Sequence, residues 1–170
     1  FNLVSTNATA LTFNSHPSGG TAGNTSAAEA VVYVVNSVGQ IVTDASVSVT
    51  LQITEGTGHS EATLYGTTTV TSVNGIATFN NLYIDKSSSG YSFTASASGL
   101  TSDTSNFFNI SAGTASSIGF VTEPGGSAVN SRLKTAPIIA IQDTYGNIVT
   151  SSWPTLITLS LKSGTGSSGA

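Results

Sequence analysis

The stretch Ser46-Val-Ser-Val-Thr-Leu-Gln-Ile-Thr54 alternates apolar and polar residues without a break, so Val47, Val49, Leu51 and Ile53 share one face of an extended segment. The same alternation returns at Ile157, Leu159 and Leu161. Upstream of each copy lies a continuous apolar run, Ala30-Val-Val-Tyr-Val-Val-Asn36 and Pro137-Ile-Ile-Ala-Ile-Gln142, which predicts a strand buried on both faces. Asn74-Gly75 joins Thr67–Thr71 to Ile76–Phe79, and this dipeptide predicts a tight hairpin because both turn residues need positive φ. Leu82, Ile84, Tyr91, Phe93, Ala95, Leu100 and Phe107 complete the expected core. No segment has helical periodicity. Short strands recurring every 8 to 12 residues or so predict an all-β chain folded as a two-sheet sandwich with Greek-key connections.

The chain also matches itself. Phe1, Phe13 and Pro17 align with Phe108, Phe120 and Pro124 at one offset of 107, and Val38-Gly-Gln-Ile-Val-Thr43 aligns with Tyr145-Gly-Asn-Ile-Val-Thr150 at the same offset. One residue is inserted near Ser151-Ser-Trp-Pro154, after which Val49-Thr-Leu51 falls on Ile157-Thr-Leu159 and Gly56-Thr-Gly58 on Gly164-Thr-Gly166. A period this long describes a string of folding units rather than a solenoid. The expected organisation is residues 1–7 as the end of a preceding repeat, 8–111 as one complete sandwich, and 112–170 as about the first half of a second.

Phe120-Val-Thr-Glu-Pro-Gly-Gly, Ile141-Gln-Asp-Thr-Tyr-Gly-Asn-Ile-Val and Asn74-Gly-Ile-Ala-Thr-Phe resemble the immunoglobulin-like tandem repeats of large bacterial and archaeal surface proteins, invasin- and intimin-type adhesins among them. The resemblance implies an immunoglobulin-like Greek-key β-sandwich in tandem, the second copy incomplete, on a cell surface. Its motifs are turn and strand punctuation, so no binding residue is carried over. The first copy departs from the pattern with Asn36-Ser-Val-Gly-Gln40 where the second has Asp143-Thr-Tyr-Gly-Asn147.

Composition narrows the function. Charged residues make only 7% of the chain while Ser and Thr make roughly a third, so its polar surface is hydroxyl rather than ionic. A formal charge of −4 with four basic residues offers no footprint for nucleic acid or anionic lipid. Cys and Met are both absent, which excludes disulfides and thiolate metal sites and fits an extracellular protein. No apolar run reaches the roughly 20 residues of a membrane helix.

Chemistry-bearing motifs are sparse. Gly164-Thr-Gly-Ser-Ser-Gly169 has the G-x-G-x-x-G spacing, but no helix follows to present its N-terminus to a phosphate. His16 and His59 do not recur in the second copy and are expected at the surface, with no H-E-x-x-H spacing for a metal. Asp143 and Asn147 flank a turn with one carboxylate, whereas calcium takes six to eight oxygens, so Asp143 is expected to close an Asx turn on its own backbone. G-x-S-x-G is absent, and no enzyme apparatus, metal or cofactor is expected. Asn7, Asn24 and Asn109 head glycosylation sequons, no more of them than chance supplies. Trp153 and Tyr145 are candidate contact aromatics, for a neighbouring domain or for glycans.

Two functional readings follow. One is a non-catalytic spacer, stalk or building block of a surface filament or layer, its partners being neighbouring repeats or identical subunits. The other is an adhesin or carbohydrate-binding module. The second copy lacks counterparts of Thr63–Phe107, and its open face is expected to be closed either by further sequence in the same chain or by strands of another subunit.

Overall fold

Fourteen strands and one short 3-10 turn carry out the alternating pattern in the computed structural model, which describes residues 7–128, 130–150 and 156–163. The strands are β1 (Ala10–Ser15), β2 (Gly20–Thr21), β3 (Ala30–Val35), β4 (Ser48–Ile53), β5 (Leu64–Tyr65), β6 (Thr69–Thr71) and β7 (Ile76–Phe79). They continue with β8 (Tyr83–Ile84), β9 (Ser88–Tyr91), β10 (Phe93–Ser96), β11 (Asp103–Thr104), β12 (Phe108–Ser111), β13 (Ser117–Thr122) and β14 (Ile138–Gln142). The 3-10 turn is Thr25–Ala28.

One sheet has the order β1-β3-β7 and a second the order β11-β10-β4-β6. A smaller sheet, β2-β12-β9, has β2 parallel to β12 and adds Tyr91, Phe108 and Ile110 to the same core. Leu11, Phe13, Val32, Val34, Ala77 and Phe79 of the first sheet share one core with Val49, Leu51, Phe93 and Ala95 of the second. The chain is therefore an all-β sandwich, closed because each sheet turns its apolar face to the other. The predicted central run forms β3, flanked by β1 and β7.

Three expectations needed correction. Phe107 is 74% exposed, and its neighbour Phe108 is 4% exposed, stacked near Tyr91 and edge-on to Phe93. Two adjacent phenylalanines give no parity of their own, and Ile110, two residues on, sets the inward face. Asn74 and Gly75 do form the tight turn, with φ of 52° and 74°. The ladder it closes ends after the Val73–Ile76 bridge, however, because β6 pairs with β4 in one sheet and β7 with β3 in the other. The dipeptide is thus a crossover between sheets rather than a hairpin within one. Finally, residues 156–163, where the alternation of Ile157, Leu159 and Leu161 predicts a strand, are not in a ladder.

Gly56-Thr-Gly58 has a packing role in the first copy. Gly58 takes φ of 66° and its Cα lies over the ring of the fully buried Tyr91, where a side chain would collide. Thr57 donates its hydroxyl to the Thr54 carbonyl and accepts from the Ser92 amide, pinning the loop to the strand that carries Tyr91.

The segment from Ser117 to Thr150 repeats the segment from Ala10 to Thr43. Phe13 pairs with Val32 and Phe120 with Ile139, and the register breaks after Phe13 and after Phe120 alike. What differs is cover. Phe120 is 47% exposed against 7% for Phe13, and Leu159 is 56% exposed against 2% for Leu51.

Phe93→Ala is expected to destabilise the first sandwich by about 3–5 kcal/mol, the range for a buried aromatic truncation. Phe107→Ala, one residue outside the core, is expected to stay within about 0.5 kcal/mol. Urea unfolding of the two variants checks both figures.

Candidate functional site

Asp143 begins a five-residue turn built like Asn36–Gln40 in the first copy. The Asp143 amide donates to the Asn147 carbonyl and the Gly146 amide to the Asp143 carbonyl, and the same pair of bonds links Asn36, Gln40 and Gly39. The side chains work alike on one oxygen. Asp143 Oδ1 accepts from the Tyr145 and Asn147 amides at 2.9 Å each, and Asn36 Oδ1 accepts from the Val38 and Gln40 amides at 3.1 and 2.9 Å. This is the expected Asx turn, and it needs only a carbonyl-type oxygen.

The second oxygen of Asp143 ties the turn to the segment between the copies and to the Asn147 side chain. Oδ2 accepts from the Gly113 amide, in the segment joining the two copies, and from Asn147 Nδ2, both at 2.8 Å. Asn147 then reaches the first copy: its Nδ2 also donates to the Asp85 carbonyl, and its Oδ1 accepts from the Ser87 amide, again at 2.8 Å each. Between them, Lys86 Nζ donates to the Tyr145 carbonyl at 2.9 Å. Tyr145 lays its ring over Gly23, where a Cβ would strike it, and lies 6.5 Å from Tyr83, which itself stacks on Tyr65. The turn of the second copy is thus a plug seated in a socket made by Gly23, Tyr83 and the loop Asp85–Ser87.

The socket is anchored to the core. Tyr91 is fully buried, and its hydroxyl donates to the Lys86 carbonyl at 2.8 Å. Burial raises its pKa, an effect that a hydrogen bond from the His59 backbone opposes and nearby Asp85 reinforces.

Asp143 is 2% exposed. Burial alone would raise its pKa, but the hydrogen bonds from the Asn147 side chain and from the Gly113, Asn147 and Tyr145 amides outweigh it and hold the carboxyl below its ordinary 3.8. Four N–H groups occupy the two oxygens, so the carboxylate is fully used as an acceptor. Among the described residues no group of three or more His, Asp or Glu comes together to hold a metal. No helix there is long and apolar enough to cross a membrane.

The other sequence candidates scatter. Tyr145 is half-buried in the junction rather than presented as an open platform. Trp153 and Gly164–Gly169 lie outside the described residues. Asn7, Asn24 and Asn109 are exposed at separate places, and Asn109 Oδ1 accepts from the Gly90 amide. His59 is exposed, its Nδ1 accepting from the Glu61 amide. His16 is only partly at the surface: it stacks on Phe13 at 5.6 Å and accepts from the Asn106 amide. Sequence reading missed Gly23, Asp85, Lys86, Ser87 and Gly113. Four of these act through backbone atoms or lack of a side chain, which leaves no chemical signature, but Lys86 is one of only four basic residues in the chain.

Comparison with protein-family models and with curated proteins finds no match to this chain.

Asp143→Asn keeps an oxygen for the Asx turn but sets an amide N–H against those of Gly113 and Asn147. Hydrogen bonds to charged groups contribute about 1.5–3 kcal/mol each, so the docked state is expected to lose about 2–4 kcal/mol while the first sandwich keeps its stability. Amide exchange at Ser87 and Gly113 reads the first effect and urea unfolding the second. The wild-type junction is also expected to loosen in acid. Because these hydrogen bonds lower the Asp143 pKa, the carboxylate that orients Asn147 contributes fully above the ordinary 3.8 and its contribution is lost as pH falls through the lowered value. Exchange at the same two amides, followed downward from pH 6, checks the direction.

Proposed function

We propose that the chain is a non-catalytic structural segment of an extracellular surface protein, made of immunoglobulin-like repeats whose joints are held rather than free. The single observation that carries this reading is the buried plug, in which both oxygens of Asp143 and both ends of the Asn147 amide are hydrogen-bonded within the joint and their own turn. A flexible linker would leave Gly113 solvated and Tyr145 exposed. Here a two-residue polar lock, an aromatic ring and a lysine join the copies, which is what a spacer, stalk or filament unit needs to transmit position along its length. The strand pairing supports the immunoglobulin-like reading, since β2 runs parallel to β12 beside a β11-β10-β4-β6 sheet. The hydroxyl-rich, weakly charged surface supports an extracellular setting.

The glycan-binding alternative leans on Trp153 and Tyr145 as a shared platform; the Tyr145 ring is packed against Gly23, and Trp153 lies outside the described residues.

Small-angle X-ray scattering of the intact chain and of Asp143→Asn tests the proposal. The variant is expected to give a broader distribution of maximum dimension at unchanged secondary structure. Indistinguishable curves would mean that the joint does not depend on the lock.

A further inference from the structure

From the two turns of this one chain, we infer that the socket on the first copy is selective: it takes a neighbouring repeat whose turn reads Asp-x-Tyr-Gly-Asn and refuses one whose turn reads Asn-x-Val-Gly-Gln. The inference rests on the held joint and adds to it the kind of neighbour that can occupy it.

Both turns close on the same pair of backbone bonds, so the backbone does not tell them apart. The side chains at the first and fifth positions do, because they bond to each other with opposite polarity. In the second copy the fifth residue donates to the first, Asn147 Nδ2 to Asp143 Oδ2 at 2.8 Å. In the first copy the first residue donates to the fifth, Asn36 Nδ2 to Gln40 Oε1 at 3.4 Å. An ionised carboxylate only accepts, so Asp143 draws the N–H side of the Asn147 amide toward itself and leaves Oδ1 for the socket. That oxygen takes the Ser87 amide, while Nδ2 also reaches the Asp85 carbonyl. A turn with the polarity of Asn36–Gln40 spends its fifth-position oxygen inward and sets N–H groups against the Ser87 amide. Gln40 is also one methylene longer and exposed, whereas Asn147 is buried.

The third position is read by shape. The Tyr145 ring covers Gly23 and extends the row that Tyr65 and Tyr83 begin, with ring centroids 5.0 Å and then 6.5 Å apart. Valine, the residue at this place in the first copy, has no ring to lay on Gly23, and Val38 stands exposed on its own turn. The first position is read once more by the segment between the copies, since the Gly113 amide needs the acceptor that Asp143 Oδ2 supplies. Refusal comes from mismatch: a site that satisfies buried polar groups with one partner leaves them unpaired with a partner of the wrong polarity.

The test compares amide hydrogen exchange in the full 170-residue chain with exchange in two grafted forms of it. The full graft carries Asp143→Asn, Thr144→Ser, Tyr145→Val and Asn147→Gln, which gives the second copy the turn of the first. The partial graft carries only Thr144→Ser and Tyr145→Val and keeps the Asp143–Asn147 pair. Exchange at Ser87 is expected to quicken by about tenfold or more in the full graft, where its acceptor and the neighbouring bonds are lost, and by a smaller factor in the partial one. Exchange at Gly146 is expected to stay at the wild-type rate in both, because its bond to the carbonyl of residue 143 has a counterpart in the first-copy turn. Wild-type protection of Ser87 in the full graft would overturn the inference, and so would a full graft no looser than the partial one. Rapid exchange at Gly146 would also overturn it, since the turn itself would then have been lost. A wild-type chain that already exchanges freely at Ser87 would sink the held joint instead, a failure seen before any substitution is made.

Discussion

A single carboxylate, that of Asp143, orients the side chain that crosses between the copies, that of Asn147. Its turn supplies two amide N–H groups to one oxygen, and a buried anion with half its acceptor capacity empty would be costly. The remaining donors come from Gly113 and from Asn147, and Asn147 is held in place by the Asp85 carbonyl and the Ser87 amide. Folding of the second turn and docking onto the first copy are therefore coupled through the Asp143–Asn147 pair, in which Asp143 holds the amide that Asn147 presents to Asp85 and Ser87. Everything else at the joint follows: Tyr145 must lie on Gly23, Lys86 must cap the Tyr145 carbonyl, and Tyr91 must fix the loop that receives them.

The comparison of the two turns inside one chain separates what the turn needs from what the joint needs. Asn36 closes the same turn with one amide oxygen, so a charge is not required for the local fold. Where Tyr145 packs against the first copy, its counterpart Val38 stands exposed. The differences between the copies thus fall on the side chains that face a neighbour, while the strand registers behind them coincide, bulge for bulge.

Strand content and core were readable in the sequence wherever period two was unambiguous, as in Val49 and Leu51 or in the β3 run. Reading failed where two residues of one type adjoin, at Phe107 and Phe108, since nothing local fixes parity there. It failed again at Asn74-Gly75, because the dipeptide specifies a turn but not whether its strands stay in one sheet. The Asx turn at Asp143 was legible from residue chemistry alone. The joint was not, because it is made by backbone atoms of Asp85, Ser87 and Gly113 that lie 58, 56 and 30 residues from Asp143 and look like any other loop.

The central claim is that the joint is held. Nitrogen-15 relaxation on the intact chain near neutral pH measures this directly, comparing the overall tumbling time of residues 10–111 with that of residues 117–149. One common tumbling time for both segments is the predicted result. A distinctly shorter time for residues 117–149 would mean that they move independently, and would contradict the account.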